Sequence, residues 1–127
     1  MFDNLNVFRM ASSMAQHAGQ QQALISQNVA HADTPGYRGS RLPDFASLYT
    51  GDDSAGAQRA TRARHLHGNQ GDLSLAAVEM RASNSPNGNT ISLETELLEA
   101  AQAKSHHDRA LAIYKSGLDT LRATMRK

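Results

Sequence analysis

The stretch that decides the fold is SLETELLEAAQAKSHHDRALAIYKSGLDTLRATMR, residues 92–126. It contains no proline, and its apolar residues recur every three or four positions, which is the period of one helical face. The spacing predicts one long helix with a narrow apolar seam, sustained over about four heptads and interrupted by Lys104 and His107. The seam residues are Leu97, Ala100, Leu111, Tyr114, Leu118, Leu121 and Met125.

Both ends of this stretch carry the signals of helix termini. Ser92 is a favourable N-cap residue, and Glu94 and Glu96 fall in the first turn, where the helix dipole favours acids. Arg122 and Arg126 fall in the last turn, where the dipole favours cations. The caps and the periodicity therefore predict the same helix, from Ser92 to about Arg126.

A second helix is predicted over residues 4–32, which contain no proline and one glycine, Gly19. Such a helix is roughly 40 Å long. It should end near Pro35 and Gly36, because proline disfavours helical geometry at Thr34 and glycine favours a turn. Gly19 indicates a bend or a close contact. The seam of this helix consists of Val7, Ala11, Met14, Ala18, Ile25, Val29 and Ala32.

The middle of the chain has a different character, since it holds most of the glycines and two of the three prolines. Two short apolar pieces, residues 42–48 and 73–78, are consistent with either short strands or helical turns. The rest reads as loop and turn, with disorder in the isolated monomer as an open alternative. We therefore expect an irregular, partly disordered or small-β segment between the two helices.

The predicted fold class is mainly α, with long N- and C-terminal helices that pair as a coiled coil. The boundaries are residues 1–36 for the first helix and its turn, 37–90 for the variable middle, and 91–127 for the last helix. The sequence leaves open whether the pair is parallel or antiparallel. A narrow two-helix seam buries little area. The part of each apolar seam that this pairing leaves exposed should therefore pack against helices of neighbouring subunits.

Composition excludes several classes of function. The formal net charge is +1, which is too balanced for nucleic acid as the main partner. The chain has no cysteine, so disulfides and thiolate metal sites are ruled out. No apolar run approaches the ~20 residues that span a bilayer, and residues 1–10 do not resemble a cleavable secretory signal. We expect a protein that is not membrane-embedded.

The histidines and arginines do not form a site of recognisable chemistry. His65 and His67 lie two residues apart, and His106 and His107 are adjacent, whereas two metal ligands on one helical face need a spacing of three or four. The basic residues from Arg59 to Arg64 read as an exposed charged loop. No nucleophile elbow or phosphate loop occurs. We expect no catalytic residues, no metal and no cofactor.

The strongest local signal lies where the first helix ends. There, a turn built on Pro35 and Gly36 follows residues that can cap it, and Tyr37 offers an amphipathic ring to a contact. A signal that only ends the helix would explain Pro35 and Gly36, but it would not require the other residues of this stretch. The proposed assembly motif comprises Asn28, Val29, Ala30, Ala32, Asp33, Thr34, Pro35, Gly36 and Tyr37.

This string resembles the N-terminal motif of the flagellar rod and hook protein family, a run of the form A-N-N-I-A-N-A-x-T-P-G-Y that closes the first helix. Gln27 and His31 stand where that motif usually has asparagine. Residues 88–96, GNTISLETE, are similar to the G-N-x-V-x-L/M-E-x-E opening of the family's last helix. The two motifs occur in the family's order, near the two ends of the chain.

The resemblance implies a structural subunit of the proximal rod of the bacterial flagellar basal body. Such a subunit is exported unfolded by the flagellar type III apparatus and assembles through its terminal helices into a hollow, torque-transmitting shaft in the periplasm. Implied partners are further copies of itself, other rod proteins, the rod-to-ring adaptor and export-gate proteins. The alternatives are the other short proximal rod protein or a small cytoplasmic coiled-coil interaction module.

Overall fold

The structure, a computed structural model, describes residues 2–49, 75–80 and 85–125. Along the chain, a long helix at each end, α1 and α3, flanks a middle segment that contains a short helix, α2, and two short strands, β1 and β2. The fold is mainly α, with the terminal helices packed against each other, as the sequence predicts. The elements are α1 Phe2–Ala30, β1 Ser40–Arg41, α2 Phe45–Tyr49, β2 Val78–Glu79 and α3 Leu93–Met125.

The ends of both long helices fall within two residues of their predicted positions. Helix α3 begins immediately after Ser92, whose carbonyl accepts the first helical hydrogen bond from the Glu96 amide at 2.9 Å. Helix α1 ends at Ala30, and the chain passes through turns before Pro35. Capping residues and proline therefore determine where the helices stop.

The helix pair is antiparallel, which settles the alternative that the sequence left open. At one end Phe8, early in α1, meets Tyr114, late in α3, with ring centroids 5.2 Å apart in an edge-to-face arrangement. At the other end Asn28, late in α1, is hydrogen-bonded to Glu96, early in α3. No described helix has a stretch both long and apolar enough to cross a membrane.

Small side chains line the contact between α1 and α3. Ala11 and Ala18 of α1 and Ala103 and Ala110 of α3 are buried. Gly117 extends this line, since a Cβ there would lie only 2.9 Å from Cζ of Phe8. Small residues allow the two backbones to approach closely, at the cost of little apolar area per residue. The intramolecular core is therefore thin.

Gly19 does not have the close contact that the sequence suggested for it. It is exposed on α1, and nothing lies within 4 Å of a Cβ built on it. The helix runs unbroken through this position from Phe2 to Ala30. The close approach of the two helices occurs instead at Gly117 on α3.

The buried line of α3 lies one residue before one row of the predicted seam, Leu97, Leu111 and Leu118, whereas Tyr114 of the other row contacts Phe8 of α1. Glu96, Ala103 and Ala110, each seven residues from the next, are buried. Their C-terminal neighbours Leu97 and Leu111 are 74% and 51% exposed. The difference arises because α1 presents alanines, and alanines on α3 fit against them more closely than leucines do.

The middle segment contains both kinds of structure that the sequence left open. Strands β1 and β2 pair antiparallel, with Ser40 opposite Glu79 and Arg41 opposite Val78. The apolar piece at residues 42–48 begins with the buried Leu42 and continues into α2. Among the described residues, β1 contacts α1, and β2 pairs only with β1. Phe45 of α2 packs against His17, near the middle of α1.

Candidate functional site

The two sequence motifs meet in space at one end of the helix pair. The Gly36 amide donates to the Asn87 carbonyl at 3.0 Å, and the Thr90 amide donates to the Tyr37 carbonyl at 3.1 Å. The turn after α1 and the segment before α3 therefore run side by side. We call the site formed by the turn at residues 28–40, the segment at residues 87–91 and the start of α3 the junction.

Asn28 is the centre of the junction. Its side chain is only 2% exposed, and its Nδ2 donates to the Ser40 carbonyl at 3.0 Å and to Oε2 of Glu96 at 3.2 Å. Its Oδ1 accepts from the Ser40 amide at 3.1 Å. One amide thus joins α1, β1 and α3, and both of its donor hydrogens are used.

Glu96 is the partner of Asn28 on α3. Its side chain is 2% exposed and belongs to the same heptad line as Ala103 and Ala110. One turn later, Glu99 forms an ion pair with Arg41 of β1, with 3.2 Å between Oε1 and Nη2. Two carboxylates of α3 therefore hold the start of β1, one through Asn28 and one directly. A buried carboxylate needs such a partner, because unpaired it is costly to desolvate.

Asn89 closes the turn that follows α1. Its Nδ2 lies 3.1, 2.6 and 3.0 Å from the carbonyl oxygens of His31, Ala32 and Thr34. Its Oδ1 accepts from the Ile91 amide at 2.8 Å. The backbone carbonyls beyond a helix end have no partner within the helix, and this amide supplies one.

Two glycines make the turn possible. Gly36 and Gly88 have φ angles of 72° and 76°, in the left-handed region that favours glycine. A Cβ on Gly88 would lie 3.5 Å from Cα of Gly36, so the two backbones pass close together. The glycines of the two motifs are therefore neighbours in the structure.

Gly39 allows the middle segment to reach the junction. Its amide donates to Oγ1 of Thr90 at 2.9 Å, and its carbonyl accepts from the Met80 amide at 2.7 Å. A Cβ here would collide with Cδ1 of Ile91 and would lie 3.3 Å from Oδ1 of Asn28. The position is closed to any side chain without local movement.

The predicted assembly motif divides into a buried part and an exposed part. Asn28 is buried, and Ala32 and Tyr37 are half-buried. Tyr37 stacks on His31, with ring centroids 4.6 Å apart. The exposed members of the motif form the outer surface of the turn: Val29, Ala30, Asp33, Thr34, Pro35 and Gly36.

The sequence prediction missed the residues that bind this turn from the other motif. Asn89, Thr90 and Glu96 are all buried in the junction. A signal was present, since all three belong to the second motif-like string, at residues 88–96. What the sequence did not indicate is that the two strings contact each other.

The predicted seam residues fall into three groups by exposure. Ala11, Ala18 and Ile25 are buried between the helices. Met14, Ala32, Ala100, Leu118 and Leu121 are half-buried. The remaining seam residues are at least one-third exposed, up to 83% for Met125: Val7, Val29, Leu97, Leu111, Tyr114 and Met125.

A groove lies between the helix pair and the start of α2. It encloses about 340 Å³. The walls of the groove are α1, α3 and the start of α2. His17 of α1 holds the α2 wall in place, because its ring Nε2 is 2.8 Å from the Pro43 carbonyl and the ring packs edge-on against Phe45. We call this the mid-helix groove. Its lining includes Met14, His17, Ala18, Gln21, Asp44, Phe45, Glu99, Gln102, Ala103 and His106.

The described residues contain no group of three or more His, Asp or Glu side chains that could hold a metal. His106 and His107 lie on α3, and Nδ1 of His107 is 3.9 Å from Oδ1 of Asp108. His65, His67 and the basic residues from Arg59 to Arg64 lie outside the described residues.

Comparison with known proteins yields no relative for this chain: no protein-family model matches it, and no curated protein matches its sequence. The fold and the junction define an antiparallel two-helix protein whose helices are locked together at one end by buried amides. The resemblance to the flagellar family therefore depends on the motif residues themselves.

Replacing Asn89 with alanine should lower the free energy of unfolding by about 2 kcal/mol, because the part-buried Ala32 carbonyl loses its donor and the turn loses its tie to the segment before α3. Asn87→Ala is the matched control, since its exposed side chain accepts one hydrogen bond from the Asn89 amide. Urea unfolding followed by far-UV circular dichroism measures both. Equal effects of the two substitutions would show that Asn89 does not stabilise the turn.

Proposed function

We propose that this chain is a structural subunit of a helical shaft, assembled through its two terminal helices. The observation that carries the proposal is the junction, in which two motif strings about 50 residues apart form one buried hydrogen-bonded unit. A junction of this kind fixes α1 and α3 as one elongated element. An elongated helical element is suited to side-by-side packing in a tube.

Within that class, we propose a subunit of the proximal rod of the bacterial flagellar basal body, of the type called FlgB. The form of the turn with Asp33 supports FlgB over FlgC, the other short proximal rod protein, and the sequence Pro43-Asp44-Phe45 also resembles FlgB. Pro43 and Phe45 both contact His17, so this sequence holds α2 on the helix pair.

The surface of α3 supports assembly as the mechanism. Leu97, Leu98 and Leu111 are more than half exposed, although large apolar side chains are usually buried. Packing against neighbouring helices would remove them from water. The proposed partners are other copies of the chain, other rod proteins, the rod-to-ring adaptor and the export-gate proteins. The proposed role is mechanical and includes no catalysis.

Export as an unfolded chain through the flagellar type III apparatus is part of the proposal. The alanine-lined contact between α1 and α3 supports it, because a thin core of small side chains contributes little free energy of folding. Such a subunit would gain much of its order on assembly in the periplasm, within the membrane rings.

Deleting residues 1–30 should abolish swimming and rod formation, because the deletion removes α1 and with it Asn28. Cells whose only copy is the deleted gene would be examined in soft agar, and their basal bodies by electron microscopy. Gly19→Ala is the matched control, since that position is exposed and has room for a methyl group. This variant should swim normally.

Normal swimming of the deletion strain would contradict the rod proposal. It would favour the alternative, a small cytoplasmic coiled-coil interaction module, for which loss of α1 has no effect on motility. Loss of rods with retention of all other flagellar components up to the membrane ring is the outcome that the proximal rod proposal predicts.

A further inference from the structure

The two flanks of α3 beside its buried line differ in shape. On one flank, Glu99 and His106 help to line the mid-helix groove, whose deeper part includes Ala18 and Ala103. Phe45 contributes an aromatic wall from α2. This flank is concave, with an apolar floor.

The other flank is convex and carries an exposed stripe of Leu97, Lys104 and Leu111, spaced seven residues apart. Because successive helical residues are about 100° apart, Lys104 lies about 200° from His106 around the helix axis. The exposed stripe and the groove are therefore on opposite sides of α3. They are also at the same height, since Lys104 lies between groove residues Gln102 and His106 in the sequence.

The charges of the two flanks are complementary. The groove carries two carboxylates, of which Glu99 is already paired with Arg41. Asp44 takes part in none of the ion pairs among the described residues. On the stripe, Lys104 has only an exposed pair with Asp108 at 3.4 Å, which contributes little to stability. Within the part of the chain that the structure describes, neither Asp44 nor Lys104 is held in a strong ion pair, so both can pair with a second copy.

We propose that the mid-helix groove of one copy receives the exposed α3 stripe of a second copy. Lys104 pairs with Asp44 in the groove, and Leu97 and Leu111, each about 10 Å from Lys104 along the helix, pack beyond the two ends of the groove. The inference rests on the proposed function, since it assigns the faces by which shaft subunits meet side by side. Different faces meet on the two copies, so the contact is heterologous and repeats from subunit to subunit, generating a ring or a helical turn.

Cysteine cross-linking tests this pairing directly, because the natural chain has no cysteine. The full-length double variant Asp44→Cys/Lys104→Cys, treated with a short bis-maleimide as concentrated protein and in cells, should give a ladder of dimers, trimers and higher species. Each single variant should remain monomeric, and a mixture of the two singles should give dimers alone. Dimers from one single variant would indicate a two-fold contact and overturn the proposal.

Charge exchange tests the same pairing without cysteines. Lys104→Asp or Asp44→Lys alone should weaken self-association of the purified chain in sedimentation by about tenfold, and the double exchange should restore it. Asp119→Lys, which is exposed and lies far along α3 from both the groove and the stripe, is the control and should change it by less than about twofold. A natural chain that stays monomeric at every concentration and a double-cysteine variant that gives no ladder would overturn the pairing.

The two proposals fail differently. If the deletion of residues 1–30 leaves swimming intact while the cysteine ladder forms, the copies pair as proposed but do not build a rod. If the deletion abolishes rods while no ladder forms in cells or in concentrated protein, the rod proposal stands and these faces are not the contact between copies.

Discussion

Replacing Asn28 with aspartate should lower the free energy of unfolding by about 3–5 kcal/mol, the largest effect expected from a change of one residue in the junction. The substitution places a carboxylate 3.2 Å from Oε2 of Glu96, in a site where both side chains are 2% exposed. It also removes the donor to the Ser40 carbonyl. Urea unfolding monitored by circular dichroism at 222 nm measures the loss.

A double-mutant cycle identifies the cause of that loss. In Asn28→Asp/Glu96→Gln the hydrogen bond is reversed, because the new amide at position 96 would donate to the new carboxylate at position 28, and the two negative charges no longer meet. The double variant should therefore be more stable than Asn28→Asp by about 2 kcal/mol. Destabilisation that simply adds between the two single substitutions would show that Asn28 and Glu96 act independently.

The second large effect is expected from placing a charge at Ala110, and it should differ sharply from that of the same change at the neighbouring Leu111 on α3. Ala110 is 0% exposed against α1, whereas Leu111 is 51% exposed on the stripe. Ala110→Asp should unfold the helix pair, with a loss of about 3–5 kcal/mol, because it buries an unpaired charge in a closely packed contact. Leu111→Asp should change the unfolding free energy by less than about 1 kcal/mol and yet block assembly and swimming.

Each of the two variants controls for the other, since they place the same charge one residue apart on the same helix. Circular dichroism of the purified proteins reports folding, and soft-agar swimming reports assembly. Motile cells carrying Leu111→Asp would show that this part of α3 is not an interface. A stable, folded Ala110→Asp protein would contradict the observed register of the helix pair.

The sequence predicted the two long helices and their ends because these depend on local signals. Proline, glycine and capping residues act within one or two turns, as at Ser92 and Pro35. The register of α3 was displaced by one residue for a different reason. Heptad patterns are recognised by large apolar residues such as Leu97 and Leu111, whereas close approach of the two helices selects Ala103 and Ala110.

The junction was predicted only in part. The turn at Pro35 and Gly36 follows from local conformation, so its place was evident from the sequence. Asn89 binds carbonyls about 55 residues away along the chain, and backbone acceptors have no residue signature. The strands of the middle segment contain two residues each, too short for an alternating pattern to indicate them.

If this chain is a subunit of the flagellar rod, as we propose, it must be located in the rod itself. Hook–basal bodies purified from cells that express a functional, epitope-tagged copy would be labelled with gold-conjugated antibody and viewed by electron microscopy. We expect gold on the rod at the level of the membrane rings, with none on the hook or filament. Complete, unlabelled basal bodies, with the tagged chain found only in the soluble fraction of the same cells, would contradict it.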